Sequence, residues 1–147
     1  MEKNVKIIHK DLLKQIIIVP VLTPDEVDLQ GDIISKEEIE AACWRYNQTK
    51  QIVGFRHIRE LDAVVLESYI VRGGSLSFSS HETKSGEYES CKEGSWIAVI
   101  KINDLIVWAG IMDGTYQSIS IGGYADSTPI DTGILTNNEE GDILNGS

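Results

Sequence analysis

The residues with the most chemical promise lie in the stretch YQSISIGGYA, residues 116–125. Ser118 and Ser120 stand two positions apart there, followed by the pair Gly122 and Gly123. A serine hydroxyl attacks a carbonyl only when a base takes its proton. Of the three histidines, His9 sits in a charged N-terminal stretch and His81 in a polar loop, and both read as exposed and incidental. His57 closes the short apolar run QIVGFRH, where a strand-end imidazole can face a pocket. An imidazole acting as base needs a carboxylate to orient it. Glu67, embedded in the apolar segment DAVVLESYIV, is the candidate with a buried look, and an outward or edge position is its plainer reading. Gly122 and Gly123 permit unusual backbone dihedrals and close approach of a peptide. Their N–H groups are candidates for holding an oxyanion.

Strand alternation places Tyr116, Ser118, Ser120 and Gly122 on one face and Gln117, Ile119, Ile121 and Gly123 on the other. With the isoleucines inward, both serines point away from the core, and a solvent-facing serine stripe is the plainer reading of the pattern. No GxSxG elbow is present, which leaves an α/β-hydrolase without support. Cys43 and Cys91 match no metal spacing or CxxC motif. Cys43 reads as a small core residue, and neither thiol requires a disulfide, which fits a reducing cytoplasm. No His, Cys and carboxylate set has metal-ligand spacing, so neither a metal site nor any cofactor is expected.

The elements that must position these residues follow from periodicity. KQIIIVPVLTP is β-branched and reads as a strand, with Pro20 at an edge or bulge. Ser35 and Glu38 form a capping-box pattern with Ile34 ahead of it, and Ile39, Ala42, Cys43 and Tyr46 then repeat at helical spacing. This predicts a helix over about 36–48. Further strands are predicted at QIVGFRH, at 62–71, at GSWIAVIKI and at YQSISIGGYA. Leu105, Trp108, Ala109 and Met112 have helical spacing, and Gly114 supplies a stop, so a short helix is predicted over about 104–113. Residues 72–94 read as a long polar loop or loose hairpin, and 126–147 as an acidic tail with a short strand at GILT.

Length and composition suit one domain spanning 1–147, with 147 residues and 41% apolar content. No run of 18 apolar residues suggests a membrane span, and the first residues lack the form of a signal peptide. The net charge of −10 is uneven: no Lys or Arg follows Lys101, while Asp104, Asp113, Asp126, Asp131, Glu139, Glu140 and Asp142 do. Such a surface repels phosphate backbones, which argues against a nucleic-acid partner and would steer a basic protein. The fold class expected is mainly β: a small antiparallel β-barrel or sheet with flanking α-helices.

The segments VLTPDEVDLQGDIISKEEIEAAC, GFRH, VVLESYIV, GSWIAVIKI and WAGIMDGTYQSISIGG occur in an order that resembles the XkdF-like phage serine proteases. That group is related to the phage prohead (capsid maturation) proteases and, more distantly, to the herpesvirus assemblins. The likeness covers about residues 15–125. It implies a β-barrel serine endopeptidase that cleaves scaffold and capsid proteins inside the assembling procapsid, in the cytoplasm of a bacterial host. A homodimer or homo-oligomer is compatible with it. The resemblance carries the histidine onto His57 and the nucleophile onto Ser120 of SIGG, with no match for Ser118. The third member is Glu67 or, in the other chain order, Glu139, Glu140 or Asp142. Such proteases trim themselves, and GDILNGS reads as a natural or processed end. The rival expectation is a non-catalytic capsid-assembly or protein-binding module on the same fold.

Overall fold

A computed structural model of the chain describes residues 2–27, 31, 33–55, 59–79 and 88–122. His57, His81, Gly123 and the tail, including GILT and Glu139, Glu140 and Asp142, lie outside the described residues.

Ten strands and two helices are described, in the order β1 (Glu2–Lys6), β2 (His9–Asp11), β3 (Ile16–Leu22), α1 (Lys36–Asn47), β4 (Val53–Phe55), β5 (Arg59–Glu60), β6 (Ala63–Ile70), β7 (Leu76–Ser79), β8 (Tyr88–Cys91), β9 (Trp96–Ile102), α2 (Leu105–Met112) and β10 (Ser118–Gly122). One four-stranded sheet runs β1-β10-β4-β5, a second runs β2-β3-β9-β6, and β7 pairs with β8. Every pairing is antiparallel. The mainly β expectation holds as sheets. Among the described residues none closes into a barrel, because the edge strands β1, β5, β2 and β6 find no partners that join them.

A single main core lies between the two large sheets. The first sheet gives it Val5, Val53, Ile119 and Ile121, and the second gives Ile17, Val19, Ala98, Ile100 and Ile102. α1 contributes Ile39, Ala42, Cys43 and Tyr46, the stripe its sequence spacing defines. Its start is fixed by both halves of the capping box, with Glu38 N–H donating to Ser35 Oγ and Ser35 N–H donating to the Glu38 carboxylate. Trp96 is fully buried, its ring 5.4 Å from that of Tyr46 and its Nε1–H donating to Ser68 Oγ at 2.9 Å. Both cysteines are buried, and neither is in a disulfide. Pro20 sits where the β3–β9 register shifts, and β2 pairs with β3 only over Ile16–Ile18. The missing N–H of Pro20 therefore leaves no gap in a ladder.

Two local readings need correction, and a third is decided between its alternatives. The N-terminal stretch holds two strands, and His9 is half-buried and engaged on β2 rather than exposed. EKNVK carries one aliphatic side chain, so no alternation announces β1. Within 72–94 the hairpin alternative holds, β7 pairing with β8 from Leu76↔Cys91 to Ser79↔Tyr88. The buried face of α2 is Val107, Trp108, Gly110 and Ile111, while Leu105 and Met112 of the predicted stripe are exposed. α2 is apolar all round, so hydrophobic spacing cannot choose its face. The choice falls to Gly110, whose bare Cα lies against the Tyr116 ring.

Both ends of α2 carry carboxylates held below the usual range. Asp104 caps the N-terminus by accepting from Val107 N–H and Ile106 N–H, and it also accepts from the Arg59 guanidinium at 3.1 Å. The Val107 bond is the leading cause of its lowered pKa, followed by Arg59. Asp113 is lowered chiefly by hydrogen bonds from Thr115. A depressed folded pKa gives stability that is complete above the unfolded value, about 3.9, and lost as pH falls through the folded one. Thermal unfolding between pH 6 and pH 3 should therefore show a loss below about pH 4 that shrinks in Asp104→Asn. An equal loss in that variant would remove Asp104 from the account.

Candidate active site

β10 is an interior strand, bonded to β1 on one side and to β4 on the other. Ile119 and Ile121 face the core, so Ser118 and Ser120 project from the opposite face, as alternation requires. Burial then separates them: Ser118 is exposed, and Ser120 is 0% exposed. Ser120 Oγ has no hydrogen-bond partner. Leaving a buried hydroxyl unsatisfied costs about 1–3 kcal/mol, so such an atom calls for a functional or structural reason. Ser95 Oγ is the other such atom among the described residues. Ser95 follows the turn that precedes β9 in the second sheet.

The register sets the surroundings of Ser120. Asn4 of β1 and Gly54 of β4 are its direct cross-strand partners, and Glu60 of β5 pairs with Gly54 beyond. Directly opposed residues share a face. Ser120 is therefore flanked by a carboxamide on one side and, on the other, by a residue with no side chain. Glu60 is exposed on its edge strand and lies 3.3 Å from Lys50. His57 falls in the three-residue interval between β4 and β5 and lies outside the described residues.

Gly122 has φ 80°, in the left-handed region that favours glycine, which accounts for a glycine at the end of β10. Its N–H donates to Ile52 O at 2.8 Å. That donor is therefore committed to the backbone rather than pointed at an incoming oxyanion. Gly123 lies outside the described residues.

Glu67 stands elsewhere. It lies on β6, an edge strand of the second sheet, and is exposed rather than buried. The physical reason is a β-bulge: Val65 opposes Ile100 and Glu67 opposes Val99, with Leu66 as the extra residue. Plain alternation would put Glu67 on the core face with Val65, whereas the bulge turns it outward beside Tyr69. The Tyr69 hydroxyl is pushed up by burial first and by the Glu67 charge second. Ser120 and Glu67 thus occupy different sheets, each on the face turned away from the shared core, and the structure does not bring them together. Asn4 and Gly54 escape a sequence reading of the site because only strand register makes them neighbours of Ser120.

No helix among the described residues is long and apolar enough to cross a membrane. Residues 4–129 match the family described as "Putative phage serine protease XkdF", and the chain belongs to that family. It is 32% identical over 107 residues to the phage-like element PBSX protein XkdF of Bacillus subtilis (strain 168), covering 72% of this chain and 35% of that protein. It is also 27% identical over 128 residues to the uncharacterized protein YqbD of the same strain, covering 86% of this chain and 37% of that protein. The chain thus spans about a third of the length of these curated relatives. No solved structure matches it.

Proposed function

We propose that the chain is a serine endopeptidase of a phage or prophage that cleaves scaffold and capsid proteins during head maturation, with Ser120 as nucleophile and His57 as general base. The reading rests on one observation above the rest: the Ser120 hydroxyl is fully buried and unpartnered in the middle of a sheet. Membership of a phage serine-protease family supports the same chemistry. Gly54 lies directly beside Ser120, and His57 follows it by three residues, a chain length of at most about 10 Å. Gly54 itself sets no side chain beside Ser120.

In this mechanism His57 takes the Ser120 proton as Oγ attacks the scissile carbonyl carbon, and the carbonyl electron pair moves to oxygen. Collapse expels the amine, which receives the proton from His57, and water then hydrolyses the acyl-enzyme by the reverse sequence. No cofactor enters. Glu67 lies on the other sheet from Ser120, so this reading takes its orienting carboxylate from the tail candidates Glu139, Glu140 or Asp142. Substrate meets Ser120 only after the groups covering that face give way.

That same burial favours a second reading, a non-catalytic capsid-assembly module on this fold. Cleavage of a phage scaffold protein by the wild-type chain and by Ser120→Ala separates the two. Cleavage that survives the substitution removes Ser120 from the mechanism, and no cleavage by either favours the module.

A further inference from the structure

A tetrahedral intermediate at Ser120 needs hydrogen-bond donors for its oxyanion, and the backbone around Ser120 is poorly placed to supply them. β10 is paired on both sides at Ser120 and Ile121, so its donors there serve the sheet ladders. The Gly122 N–H is held by Ile52 O. Among the described residues this leaves a side-chain donor to serve the reacting carbon.

We propose, on the reading of Ser120 as nucleophile, that the carboxamide of Asn4 is that donor. Asn4 is the direct cross-strand partner of Ser120, on the same face. Directly opposed Cβ atoms lie about 4.5–5.5 Å apart, so two short side chains converge on a single carbonyl group between them. Ser120 Oγ forms the bond to carbon, and Asn4 Nδ2–H donates to the oxygen that receives the displaced electron pair. Asn4 is half-buried, where a charge-stabilising hydrogen bond is worth more than in open water. It also borders a groove of about 240 Å³ between β1 and the end of β3, lined by Lys6, Pro20, Leu22 and Glu26. A substrate chain lying in that groove passes Asn4.

The experiment uses the full chain and a fluorophosphonate probe, with the rate of Ser120 modification as readout. Asn4→Ala should slow modification by roughly 10²–10³-fold, as loss of one oxyanion donor does elsewhere. Asn4→Asp keeps the shape but replaces the donor with a negative charge, and it should be at least as slow with an unchanged Tm. A purely structural Asn4 would not distinguish the isosteric carboxylate from the amide in this way. Wild-type rates in both variants overturn the role of Asn4 and leave Ser120 as nucleophile standing. A rate loss that only tracks loss of folded protein overturns it as well. A wild-type chain that takes no label on Ser120 overturns both readings together.

Discussion

Ser120→Ala is expected to abolish peptide cleavage while leaving the fold as stable as before, or more so. Removing the nucleophile of a serine protease leaves only residual catalysis, a loss on the order of 10³-fold or more. The stability half of the expectation comes from burial. The Ser120 hydroxyl is fully enclosed with no partner, and a buried group in that state costs about 1–3 kcal/mol. A methyl group fits the same space and has no hydrogen-bonding demand. A gain of about 1 kcal/mol would raise the midpoint by roughly 2–4 °C in a chain of this size. Cleavage assays and thermal unfolding of the same preparation check both halves. A variant that loses activity because it unfolds would point to a structural serine. A residue that costs stability and carries activity is the signature sought.

Gly110→Ala should be the more damaging substitution for the fold. An added Cβ would fall well inside van der Waals contact of the Tyr116 ring at Cδ2 and Cε2. That ring cannot swing away freely. It packs edge-on against Phe55 with centroids 4.9 Å apart, and Tyr116 N–H donates to Gly110 O at 3.0 Å. Alanine gains about 1 kcal/mol of helix propensity over glycine, which offsets part of the clash. Overpacking of this kind costs about 1–3 kcal/mol, so the net loss reaches about 2 kcal/mol and the midpoint should drop by as much as roughly 4–8 °C. Because Tyr116 leads directly into β10, the shift also reaches Ser118 and Ser120. The double variant Gly110→Ala/Tyr116→Ala isolates the cause: in the Tyr116→Ala background the added methyl should cost little. An unchanged midpoint in the single variant would show that α2 is not seated against Tyr116.

These two expectations draw on different layers of the sequence. α1 was legible because its capping box and buried stripe are local, and local signals need no knowledge of the rest of the fold. β3, β6 and β9 were legible from β-branched runs. β1 was not, since EKNVK becomes a strand only by pairing with β10, a contact more than a hundred residues distant in the chain. The serine pair shows the same division. Alternation put Ser118 and Ser120 on one face, and only the tertiary structure made one exposed and the other buried. Glu67 shows how one inserted residue defeats a pattern. An acid in an apolar strand looks buried until the bulge at Leu66 reverses its side. The neighbours of Ser120 were hidden for a related reason, because register across three strands brings Asn4 and Gly54 to it and no local motif encodes that register.

A covalent adduct would identify the nucleophilic hydroxyl outright. The intact chain is treated with a fluorophosphonate and digested, and the modified peptide is fragmented to locate the added mass. One adduct per chain, on Ser120 and not on Ser118 two residues before it, is the expected result. An adduct on Ser118 or any other serine, or none at all in folded protein, would contradict it.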